Sequence, residues 1–124
     1  MAHGVGIGAF VYLRRIFEDL IEQAQKEALQ GGQWADGDFE KKRMAEKIDS
    51  LKNFLPPFLV QNKDVYGILS KGVHDLSEQE CLEYFEPVKV SILMILDQKR
   101  QEQEQKKRET EVRQAIGKIS GKIR

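Results

Sequence analysis

Val65–Phe85, VYGILSKGVHDLSEQECLEYF, is the stretch from which the fold can be read. It joins two helical patterns. Val65, Ile68 and Leu69 close one apolar face, and Ser70-Lys71-Gly72-Val73-His74-Asp75 leads to Ser77-Glu78-Gln79-Glu80. Ser77 and Glu80 have the spacing of a capping box: the Ser77 hydroxyl accepts from the N–H near Glu80, and the Glu80 carboxylate accepts from the N–H of Ser77. The box sets a helix start, so His74 falls on the connection or in the last turn before it. Cys81, the single cysteine, lies just inside the new helix.

Upstream, Phe10, Leu13, Phe17, Leu20, Ile21, Ala24 and Ala28 recur at three and four, which predicts an amphipathic helix from about Ala9 to Leu29. Gly31-Gly32 stop it. Residues 1–8 read as a flexible lead-in. Gly4-Val5-Gly6-Ile7-Gly8 looks only superficially like a dinucleotide loop, because no strand precedes it; small residues there suit the close approach of a neighbouring helix. Asp38 is expected to cap a second helix running to about Phe54, with Met44, Ala45, Ile48, Leu51 and Phe54 or Leu55 inward and Pro56-Pro57 as its stop. Trp34 is expected to plug the end of the core.

Phe58 to Val60 read as a crossover, then a short third helix runs from Asn62 or Lys63 to about Lys71. A fourth spans Ser77 to Phe85, with Cys81, Leu82 and Phe85 inward. Pro87 suits the first turn of a fresh helix or a kink. Beyond it Val88, Ile92, Ile95 and Leu96 carry the stripe, and Leu93 and Met94 broaden it. Such width implies burial on more than one side, by the bundle or by a second subunit. From Asp97 to Arg113 both charge signs alternate, as on a solvated helix. Val112, Ala115, Ile116, Ile119 and Ile123 then resume a narrow stripe, short for a coiled coil, that docks on a partner or frays.

The expected fold is therefore all-α: a four- to five-helix bundle over residues 9–96, with a charged helical tail over 97–124. Leu13, Phe17, Leu20, Ile48, Leu51, Leu69, Leu82, Phe85, Ile92 and Leu96 should share one core. At 124 residues the chain can build such a core without metal or disulfide support. Its 20 basic and 20 acidic residues cancel, so no global field attracts nucleic acid or a membrane surface. A lone cysteine suits a reducing compartment, hence a cytoplasmic location. No apolar run is long enough to span a bilayer.

Chemistry-bearing residues are few. His3 and His74 are the only histidines, and with one cysteine there is no zinc-ligand spacing, so neither metal nor cofactor is expected. No lysine-containing phosphate loop or nucleophile elbow occurs. Cys81 shares its stripe with Leu82 and Phe85, as a small buried thiol does. His74, with Lys71, Asp75 and Glu78 nearby, is the candidate general acid or base. Its alternative role is to hydrogen-bond the end of the third helix, where the dipole favours the protonated ring.

A first helix of the form AFVYLRRIFEDLIEQA, a later Tyr-x-x-Leu-Ser-Lys-Gly-x-His segment (Tyr66 to His74) and a leucine-rich closing helix resemble the HEPN superfamily over about Gly8 to Leu96. More narrowly the chain is similar to bacterial C-terminal domains carrying an LSKGVH-type stretch. The resemblance implies a helical bundle that dimerises, and in many members a metal-independent ribonuclease whose arginine and histidine, about four to six residues apart, meet at the dimer cleft. Only the histidine carries over, as His74; Gly67, Ile68 and Leu69 stand where the arginine would be. The leading expectation is a non-catalytic domain of a larger bacterial protein that pairs as a homodimer through the first and last long helices or docks another protein through its tail. The alternative is a divergent ribonuclease in which His74 carries the proton and Arg14, Arg15 or Lys71 holds RNA phosphate.

Overall fold

The computed structural model describes residues 5–32 and 37–123. Five α-helices follow one another: α1 (Val5–Gln30), α2 (Met44–Ser50), α3 (Pro57–Gln61), α4 (Asp64–His74) and α5 (Glu78–Ile123), with 3-10 turns at Phe39–Lys41 and Lys52–Phe54. There is no strand among the described residues. α1 packs against both α4 and α5, and α3 and α4 pack against the first part of α5. The expected all-α bundle with a long charged C-terminal helix is what the chain forms. His3 and Trp34 lie outside the described residues.

α1 starts at Val5, four residues before its expected start. The difference has a physical cause. The Glu78 carboxylate accepts hydrogen bonds from the backbone N–H groups of Gly6 and Ile7, so a residue from the far end of the bundle satisfies the first turn of α1. A Cβ on Gly6 would lie 3.0 Å from Cβ of Cys81, so the glycine lets α1 and α5 meet there. At its other end α1 stops as expected: Gly32 adopts φ +69° and its N–H reaches the carbonyl of Leu29.

The expected second helix is instead three short pieces. Lys42 and Arg43 are extended, with ψ of 152° and 156°, and separate the first 3-10 turn from α2. This break lets Phe39 and Ile48 both enter the core, with Lys47 Nζ 5.1 Å from the Phe39 ring centre. Tertiary burial outweighs helix continuity here. Ala45, expected inward, is exposed. Pro57 opens α3, and the N–H of Phe58 donates to the Gln98 side chain at 2.9 Å, fastening α3 to α5.

The capping box forms as read, Ser77 N–H to Glu80 Oε1 at 3.0 Å and Glu80 N–H to Ser77 Oγ at 3.1 Å. The helix it opens runs through Pro87 without restarting. Proline removes one N–H, yet Glu83 and Pro87 both lie on the exposed side, where water reaches the carbonyl left over. Seven of the ten expected core residues are buried, and Phe85 and Leu96 pack half-buried against them. Leu82 is the exception: Cys81 takes the inward place one residue earlier, and Leu82 is turned about 100° away.

The tightest joint is between α1 and α4. A Cβ built on Gly72 would fall 1.8 Å from Cδ2 of Phe10, so the ring lies flush on the α4 backbone. We expect Gly72→Ala to destabilise the fold by at least about 3 kcal/mol, the upper range for overpacking. Removing the ring as well, with Phe10→Ala, should then cost less than it does alone. Thermal melts of the two single variants and the double variant measure this, and additive effects would contradict it.

Candidate functional site

His74 is the last residue of α4, and its side chain is exposed. The backbone end beneath it is closed by Asp75 N–H and Leu76 N–H, which donate to the Lys71 carbonyl at 2.7 and 2.8 Å. The imidazole turns instead toward α1, where Arg14 Nη1 lies 3.4 Å from Nε2. Arginine has only donors, so in this contact the guanidinium can only donate and Nε2 can only accept.

Arg14 is held on three sides. Its Nε is 3.7 Å from Glu18 Oε1, one turn on, and its guanidinium carbon is 5.7 Å from the Tyr66 ring centre. Tyr66 hydroxyl donates to Glu18 Oε2 at 3.4 Å, and its ring is tilted on Phe17 with centres 5.3 Å apart. The cluster therefore ties α1 to α4 with one half-buried cation, one carboxylate and one stacked phenol. Arg14 Nε is buried without a hydrogen-bond partner of its own. That leaves Glu18 as a charge neighbour rather than an acceptor.

The other predicted basic residues are elsewhere. Arg15 is exposed, one residue and about 100° round α1 from Arg14. Lys71 sits at the rim of two recesses that do not include His74. Of the three, only Arg14 joins His74.

Cys81 offers no nucleophile. It is fully buried, and its thiol donates to the Gly72 carbonyl at 3.3 Å. Burial, with the carboxylates of Glu78 and Glu80 adding to it, pushes the thiol above its ordinary value. Among the described residues no group of three histidine, cysteine or acidic side chains is placed to hold a metal. No helix among them is long and apolar enough to cross a membrane.

Two of the surface recesses are almost wholly apolar. A groove of about 530 Å³ lies between α3, α4 and α5, walled by Phe58, Val65, Ile68, Leu76, Tyr84 and Val88. A second, of about 320 Å³, separates α1 from α5 at Tyr12, Ile16, Phe85, Leu93 and Leu96. Sequence reading missed the first of these. Its signal was the position of Ile68 and Tyr84 at the edges of their stripes, where each is half inward. No protein-family model, curated protein or solved structure matches the chain, so these features stand on their own chemistry.

We expect Cys81 in the folded protein to react with a thiol reagent at least about 100-fold more slowly than in the unfolded chain. Its raised folded value also fixes a pH dependence. The stabilising effect of the protonated thiol is intact below the ordinary thiol range. It is lost as pH rises from there through the folded value, because the unfolded chain ionises first. Denaturation midpoints should fall more steeply from neutral to alkaline pH in the parent than in Cys81→Ala, because only the parent carries the thiol. A steeper alkaline loss in the variant would contradict the assignment.

Proposed function

We propose that this chain is a non-catalytic association domain, HEPN-like in build, that pairs with a second copy through its first and last long helices. The observation that carries this is the composition of α5 from Val88 to Leu96, which is apolar on nearly every side. Val88, Ile92 and Ile95 fill the core, while Val90, Leu93 and Met94 remain 46%, 54% and 44% exposed. A helix apolar all round belongs inside an assembly. Tyr12 of α1, 67% exposed, stands beside Leu93 across the second groove and extends the patch.

The neighbourhood of His74 supports a structural part for that residue. Its Nε2 lone pair is engaged by Arg14, and neither Arg15 nor Lys71 joins it. In solution the parent chain should sediment as a dimer at tens of micromolar, and Leu93→Glu with Met94→Glu should reduce it to monomer with the helical spectrum retained. A parent mass equal to the monomer would refute this reading.

One observation favours a second reading, a metal-independent ribonuclease: an arginine from α1 does lie beside His74. If that pair acts on RNA, His74→Ala should lower cleavage by about 10²–10⁴-fold, the usual share of one general acid or base. Arg14→Ala should flatten the salt dependence of RNA binding. Under the leading reading, the parent protein cleaves neither single-stranded nor structured RNA.

A further inference from the structure

The exposed apolar residues of α5 do not end with the bundle. Val112, Ile116, Ile119 and Ile123 are each more than half exposed on the projecting tail. Met94 and Val112 are eighteen residues apart, about five helical turns, so the bundle patch and the tail stripe lie in line on one side of the helix. Val90 precedes Met94 by about one turn, and Ile116 follows Val112 by the same step. Between the two apolar pairs, Gln101 and Gln105 hold the centre of that side, exposed and uncharged.

The row Val90, Met94, Gln101, Gln105, Val112, Ile116 has steps of four, seven, four, seven and four residues, the same from either end. A two-fold axis across the middle of the helix maps such a row onto itself. We propose that a second copy of this chain covers this side, with the two α5 helices antiparallel and each tail lying along the other copy's bundle. Val90 then meets the partner's Ile116, Met94 meets the partner's Val112, and Gln101 meets the partner's Gln105. Apolar faces apolar and amide faces amide over about 40 Å of helix. The symmetry is isologous, the commonest kind in homodimers.

Charge separates this arrangement from a parallel one. Arg108 shares the same side of α5. Antiparallel pairing sets it near the partner's Asp97 and the partner's Gln98; parallel pairing in register would set it against the partner's Arg108. The large groove adjoins this side, because Tyr84 and Pro87 of α5 line it. The end of the partner's tail, from the partner's Ile119 onward, would reach its mouth.

The inference rests on the association reading and narrows it from both long helices to one side of α5, with a stated direction of pairing. Its test uses full-length variants with one added cysteine, beside which buried Cys81 supplies no background. Gln101→Cys and Gln105→Cys are prepared separately, one with a gel-shifting tag, then oxidised alone and after mixing. Residues displaced by one helical turn fall outside disulfide reach, so the mixture should yield at least about five-fold more cross-linked dimer than either variant alone. Ile116→Glu should convert the parent dimer to monomer.

Self-linked dimers from each variant alone would mean parallel helices and overturn the proposal. A dimeric mass with no cross-link in any arm, or with no response to Ile116→Glu, would overturn it too while leaving association through the bundle standing. A monomeric parent would remove both.

Discussion

The contact between the Phe10 ring and the bare backbone of Gly72 is what the rest of the bundle depends on. The ring is fully buried, and no side chain larger than hydrogen fits beneath it. The same glycine offers its carbonyl to the Cys81 thiol, so three helices meet at one residue. From that point Glu78, one turn before Cys81, reaches the N-terminal turn of α1. Interiors pack at crystal-like density, so such a joint has one arrangement rather than a range of them. Everything else in the bundle is set out from it: the height of α1 along α5, the placing of Arg14 near His74, and the angle at which α5 leaves the domain.

This arrangement gives His74 a mechanical neighbour before a chemical one. Arg14 reaches it from a helix whose position is already dictated by Phe10, four residues earlier. The aromatic pair Phe17 and Tyr66 backs the same seam. Partly exposed ion pairs of this kind contribute little by themselves. The cluster reads as the polar border of the α1–α4 joint, while the apolar sides of α5 are the surfaces left without a cover inside one chain.

Much of the fold was legible because it was written in short-range chemistry. The Ser77–Glu80 box, the Gly31-Gly32 stop and the three-and-four spacing of Phe10 to Ala28 are local signals, and each has its expected counterpart. What was not legible came from distance. The early start of α1 depends on Glu78, far away in sequence, and the splitting of the segment after Asp38 depends on where Phe39 finds a cavity. Cys81 is inward as expected, but Leu82 beside it is not, because the direction of the stripe along α5 is set by its packing on α1 and α4. The candidate site was half legible: His74 stood out by rarity, but the choice of Arg14 over Arg15 and Lys71 needed the packing of α1 on α4.

The cap that Glu78 supplies to α1 also has a consequence for synthesis on the ribosome. The first helix emerges with its N–H groups open and its apolar face bare, since its partners in α4 and α5 are still unmade. The residue that closes Gly6 follows it by 72 positions. At about 5–20 residues per second, translation needs roughly 4–14 s to deliver it. For that interval the nascent chain carries an uncovered stripe of phenylalanine and leucine, so chaperone protection is needed most before α5 appears.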